Sequence, residues 1–174
     1  MIRGVVVKQI KPARFRDEVF RREIRNAMRR FARRMRKRFE ETTATWEHRV
    51  EFREHTYLSG EVYPRVEVTT EDEIYGYVTR GTRPHEIWAG AYTGRSKART
   101  LAFPSMFQPK TRPGVIGSGA GARGGETVFS PYVQHPGTEP RRFDEEISKE
   151  MQPWFKREME EAMRAAAKAS GHRM

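Results

Sequence analysis

Between Phe20 and Phe39 the apolar residues Phe20, Ile24, Met28, Phe31, Met35 and Phe39 recur at spacings of four, four, three, four and four. That period places all six on one stripe of an α-helix, and the two-residue alternation of a strand does not accommodate it. The helix is expected over residues 13–43. At ~1.5 Å per residue it runs roughly 45 Å, which is long for a chain of 174 residues. Part of its length is therefore expected to pack on something other than a small core.

The remaining segments predict strands and a second helix. Ile2 to Ile10 is rich in valine and isoleucine and stops before Lys11-Pro12, so residues 1–12 read as a strand or an arm able to reach a neighbour. Val50, Phe52 and Leu58 alternate with charged residues, Ser59-Gly60 supplies a turn, and Val62, Val66 and Val68 return in phase, which predicts a β-hairpin. Pro64 makes its second strand an edge or a bulge. Thr70-Glu71-Asp72-Glu73 fits a capping box, with Thr70 as the cap of one or two helical turns from Ile74 to Arg80. Gly81 then ends that helix in the left-handed conformation, and Pro84 prevents its resumption.

Short strands are expected around Leu101 to Phe103 and from Glu126 to Val133. Residues 89–100 and the glycine-rich 116–125 stretch read as mobile excursions. Residues 142–168 are helical in composition, with Asp144, Glu145 and Glu146 at the start where the helix dipole favours them. Pro153 is expected to kink or divide this helix. Strands without regular intervening helices exclude repeated βαβ units. The fold class is therefore α+β: a small antiparallel sheet over residues 46–138, packed with a long N-terminal helix and a C-terminal helix in one domain.

Composition narrows the chemistry. The absence of cysteine excludes a disulfide framework and any thiolate metal site. Hydrophobic content of 36% against 33% charged residues allows only a modest core, which favours an assembly component over a large self-contained enzyme. No run approaches the ~20 apolar residues of a membrane span, so a soluble protein made in a cytoplasm is expected, with no membrane partner.

The net charge of +11 predicts attraction to polyanions. It concentrates between Arg21 and Arg38, where ten bases accompany one acid, Glu23. The candidate contact residues are Arg22, Arg25, Arg29, Arg30, Arg33, Arg34, Arg36 and Lys37. Guanidinium groups suit phosphate oxygens, and like charges with so little compensation repel one another on a merely solvated face. Genomic DNA and an acidic neighbouring protein both remain open as the partner, since strong phosphate contacts lining a channel would retard sliding DNA. No exposed aromatics interleave with the bases, and no helix-turn-helix, zinc finger or basic zipper is present.

Two short signatures stand in the second half, Gly81-Thr82-Arg83-Pro84-His85 and His135-Pro136-Gly137-Thr138, with Leu101-Ala102-Phe103-Pro104 between them. A metal or proton-transfer role would need His85 and His135 to act with Asp72 or Glu86, and their spacing matches no metal motif. Serines such as Ser105 and Ser130 have no nucleophile-elbow setting, and the 117–121 glycine run lacks the ending of a phosphate loop. The signatures read as rigid loops shaping the fold or an interface, with no catalytic, cofactor or metal residue assigned. Trp46, Trp88 and Trp154 are candidates for either interface anchors or core residues.

In that order, the two signatures, the intervening strand and the closing helix resemble the minor tail or neck component family of long-tailed double-stranded DNA phages, the tail-completion proteins. The resemblance covers roughly residues 15–168. It implies a non-catalytic virion protein at the head–tail junction. Such a protein forms a homo-oligomeric ring, six-fold, between the head-closing connector proteins and the tail tube protein around the DNA channel. The dense basic helix and Pro153 depart from the family picture. A tail terminator capping the tube, and a nucleic-acid-binding protein using the basic helix, stand as alternatives.

Overall fold

The computed structural model describes residues 16–58, 65–90, 99–116 and 121–172. The N-terminal arm, the Ser59-Gly60 turn with Pro64, and residues 117–120 of the glycine-rich stretch lie outside them. The fold is α+β: α1 (Asp17–Thr42), β1 (Arg53–Tyr57), β2 (Arg65–Thr69), α2 (Glu73–Arg80), β3 (His85–Trp88), β4 (Leu101–Gln108), β5 (Ala122–Ser130), β6 (Tyr132–His135) and α3 (Phe143–Ala169). Instead of one small sheet, the strands form three antiparallel ribbons, β1–β2, β3–β6 and β4–β5.

The stripe on α1 is buried as its period requires: Ile24, Met28, Phe31 and Phe39 are covered, joined by Ala27, Ala32 and Thr42. What covers this stripe is chiefly a second helix of the same chain. Helix α3 is 27 residues long against 26 for α1, and it runs antiparallel along the whole length. The Arg16 amide donates to Ser170 Oγ at 3.2 Å, Arg30 meets Glu158 at 3.1 Å, and Arg38 meets Glu150 at 2.8 Å. Small residues let the helices approach at one end, where Ile24, Ala27 and Met28 pack on Ala162. At the other end the pair widens around Phe31, Phe39, Val50, Phe52, Tyr75, Phe143, Ile147 and Met151.

Pro153 neither divides nor ends α3. It lies on the exposed face, where water can reach a carbonyl that loses its amide partner, and the buried Ile147, Met151 and Ala162 on either side keep both halves of the helix on the core. The β1–β2 hairpin is present but shorter than expected. Its ladder runs from Arg53↔Thr69 to Tyr57↔Arg65, while Val50 and Phe52 enter the core ahead of it. The cap of α2 is Asp72, not Thr70: Asp72 Oδ1 accepts from the Tyr75 amide at 2.7 Å, and Thr70 Oγ1 accepts from the Asp72 amide at 3.2 Å. The strand anticipated at Leu101 extends to Gln108 through an irregularity between Pro104 and Met106. Ala122 to Gly125, read as part of a mobile excursion, lie in β5, and the strand expected from Glu126 to Val133 breaks at Pro131 into β5 and β6.

Candidate functional site

The two signatures are one structural unit. Thr82 and Thr138 form an antiparallel bridge, with amide-to-carbonyl distances of 3.0 and 3.1 Å. Beyond it β3 and β6 continue the pairing from His85↔His135 to Trp88↔Tyr132. The glycines permit this approach. A side chain on Gly81 would place its Cβ 2.5 Å from the Thr138 carbonyl oxygen and 2.9 Å from the Pro140 nitrogen, and one on Gly137 would strike the Thr82 carbonyl. Gly81 has φ 76° and ψ 172°, so it ends α2 in an extended mirror-image conformation, essentially restricted to glycine, rather than in the left-handed helical one.

The segment after the bridge completes the end of α2. A helix terminus leaves its last carbonyls without intrahelical partners. Here the amides of Arg141 and Arg142 donate to the carbonyls of Val78 and Thr79 at 3.1 and 2.9 Å. Arg142 takes a left-handed conformation, φ 52° and ψ 41°, as the chain turns into α3. The next residue is Phe143, which is fully buried. The clasp of the two signatures thus sets where α3 enters the core.

Each histidine is tied to its own loop. His85 Nδ1 donates to the Arg83 carbonyl at 2.8 Å, whereas His135 Nδ1 accepts from the Gly137 amide at 3.1 Å. The rings lie 5.0 Å apart, and neither Asp72 nor Glu86 joins them. Asp72 instead pairs with His48, and Glu86 accepts from the Trp88 indole at 3.1 Å. Among the described residues no group of three or more His, Asp or Glu is placed to hold a metal ion.

The ribbons beside the clasp carry exposed apolar side chains. Met106, Phe107 and Phe129 are about two-thirds exposed, and Trp88 stacks on Tyr132 with both residues about half exposed. Between β4 and the β3–β6 ribbon lies a groove of about 450 Å³, whose lining includes Ile87, Leu101, Phe103, Val133 and His135. Trp46 packs against the core, and Trp154 lies between the guanidinium groups of Arg34 and Arg157, 4.7 and 5.1 Å from its ring.

The basic helix divides in two. Arg30 is paired with Glu158, Arg38 with Glu150 and Glu41, and Arg36 with Glu40 and Glu54. Hydrogen bonding from Glu150, then Glu41, pushes the Arg38 guanidinium above its ordinary value. Among the described residues, Arg22 pairs with its neighbour Glu23 alone. Arg25, Arg29, Arg33 and Lys37, with Arg21 before them, are exposed and have no carboxylate within 4.0 Å among the described residues. Counting charges along the sequence misses this division, because the neutralising acids Glu54, Glu150 and Glu158 come from β1 and α3.

Compared with protein-family models, with curated proteins and with solved structures, the chain matches none.

Proposed function

We propose that this chain is a non-catalytic structural subunit of the neck or tail end of a long-tailed phage. It assembles as a six-fold ring joining the head-closing connector to the tail tube around the DNA channel. The observation that carries the reading is the bridge between Thr82 and Thr138. The two stretches that resemble the tail-completion family are far apart in sequence yet hydrogen-bonded to each other, so the resemblance falls on one structural device rather than on two unrelated short matches. The ribbons support an assembly role as well. A two-stranded ribbon is marginal alone in water, and among the described residues the β4–β5 pair has free edges together with exposed Met106, Phe107 and Phe129, features that a neighbouring subunit would cover.

The test is assembly. Electron microscopy and mass photometry of the purified protein, alone and mixed with phage tails, should show rings at one end of the tail tube. Heads should then attach to the decorated tails; decorated tails that refuse heads would identify a terminator. A protein that stays monomeric and leaves tails undecorated would overturn the proposal.

A further inference from the structure

Helix α1 carries a row of cations at Arg21, Arg25, Arg29, Arg33 and Lys37, each four residues from the next. A step of four residues advances ~6 Å and drifts about 40° around a helix of 3.6 residues per turn. Arg25, Arg29 and Arg33 therefore lie within about 80° of arc and ~12 Å of length, with Arg21 and Lys37 extending the row to roughly 24 Å. All five are exposed and without a carboxylate partner among the described residues. The other arginines of the helix are committed: Arg22, Arg30, Arg36 and Arg38 to glutamates, and Arg34 to the face of Trp154.

The rest of this face decides between a protein and a nucleic acid. Protein interfaces are built around an apolar or aromatic centre, whereas protein–DNA interfaces are polar and strongly positive. Not one of the exposed large hydrophobic residues lies on α1. The large apolar side chains of the helix point into the α1–α3 core, the exposed aromatics Phe107, Phe129, Trp88 and Tyr132 sit on the ribbons, and the exposed Trp154 of α3 is already engaged by the guanidinium groups of Arg34 and Arg157. A protein partner would find no anchor between the arginines. Single-stranded nucleic acid would find no stacking platform there. A duplex needs neither, since it presents one charge per ~1.7 Å of axis.

We infer that the Arg21–Arg25–Arg29–Arg33–Lys37 row of α1 binds the phosphate backbone of duplex DNA without reading its sequence. Three to five phosphates contact the row at once. Few contacts give weak, salt-sensitive binding, in the ~10⁻⁴ to 10⁻⁶ M range of non-specific complexes near physiological salt, which allows the DNA to move along the protein. The inference does not rest on the neck proposal: the row can bind DNA without any ring, and a ring can assemble without DNA.

The experiment is fluorescence anisotropy of the full chain with a labelled 30-base-pair duplex across a range of NaCl concentrations. The log–log slope is expected between about −2.7 and −4.5, from ~0.9 per phosphate. The triple substitution Arg25→Gln, Arg29→Gln, Arg33→Gln should make that slope shallower by about 2.7 and leave little binding at physiological salt. A control triple of equal charge, Arg80→Gln, Arg99→Gln, Arg112→Gln, should keep the wild-type slope, and circular dichroism confirms that both triples are folded. Equal losses in the two triples would overturn the inference, because net charge alone would then account for binding. Polyglutamate competing as well as DNA, or a single strand of the same length binding as tightly as the duplex, would also overturn it.

Discussion

Replacing Gly81 by alanine tests the clasp directly, because two costs combine there and a second glycine separates them. At φ 76° and ψ 172° an L-residue carries strain of about 2 kcal/mol, within the ~1–3 kcal/mol attached to such conformations. Its Cβ would also stand 2.5 Å from the Thr138 carbonyl oxygen and 2.9 Å from the Pro140 nitrogen, so the strands must separate. Separation breaks the two Thr82–Thr138 hydrogen bonds, at ~1 kcal/mol each. The sum is about 4 kcal/mol, or roughly 8–16 °C in melting temperature for a protein of this size. Gly114 provides the reference, with φ 70° and nothing within 4 Å of an added Cβ. Gly114→Ala therefore meets the backbone cost alone, ~1–2 kcal/mol. Thermal unfolding followed by circular dichroism compares the two variants, and hydrogen exchange at the Thr82 and Thr138 amides locates the damage. If Gly81→Ala melts within a degree or two of Gly114→Ala, or if both amides keep their protection, the clasp does not set the entry of α3.

Three further substitutions probe the neighbouring core. Asp72→Ala removes the side chain that accepts from the Tyr75 amide, and chemical denaturation should show a loss of ~1 kcal/mol; Thr70→Ala should cost less, because Thr70 supports the cap without being it. Burial pushes the Tyr75 hydroxyl from 10.0 up to about 12, against a smaller pull downward from Thr42 and Thr79. The neutral form is thus favoured in the folded state. Its contribution is complete below pH 10 and is lost as pH rises through about 12. At pH 11 the wild type should have lost roughly 1 kcal/mol relative to Tyr75→Phe, and parallel denaturation curves of the two proteins that never diverge above pH 10 would contradict this.

The helices were legible because their information is local. The stripe of α1 follows from one helical period, and Asp144, Glu145 and Glu146 mark the start of α3 by their charge alone. The cap of α2 was only half legible: Thr70 and Asp72 are both competent acceptors, and the choice falls to the residue that lets Tyr75 reach Phe52 and Phe143. That Pro153 leaves α3 undivided was not legible for a similar reason, since its cost depends on which side of the helix faces water. Of the candidate site, the sequence displayed the cations and both signatures. It could not display that Arg30 faces Glu158 or that Thr82 meets Thr138, because both depend on a register fixed only when the chain closes.

The pairing of α1 with α3 has a consequence for how the protein comes into being. The two helices bury each other, and roughly 100 residues of chain separate the end of one from the start of the other. At ~5–20 residues per second, α1 leaves the ribosome several seconds before its cover exists. During that interval Phe52 can already reach Phe39, but Ile24, Ala27 and Met28 lack the Ala162 surface and Phe31 the Phe155 ring that α3 supplies. Completion of the core therefore waits until α3 itself has emerged. The interval exposes a helix that is greasy on one side and strongly cationic on the other, and chaperone binding to nascent chains that end before residue 143 is where that exposure would be felt.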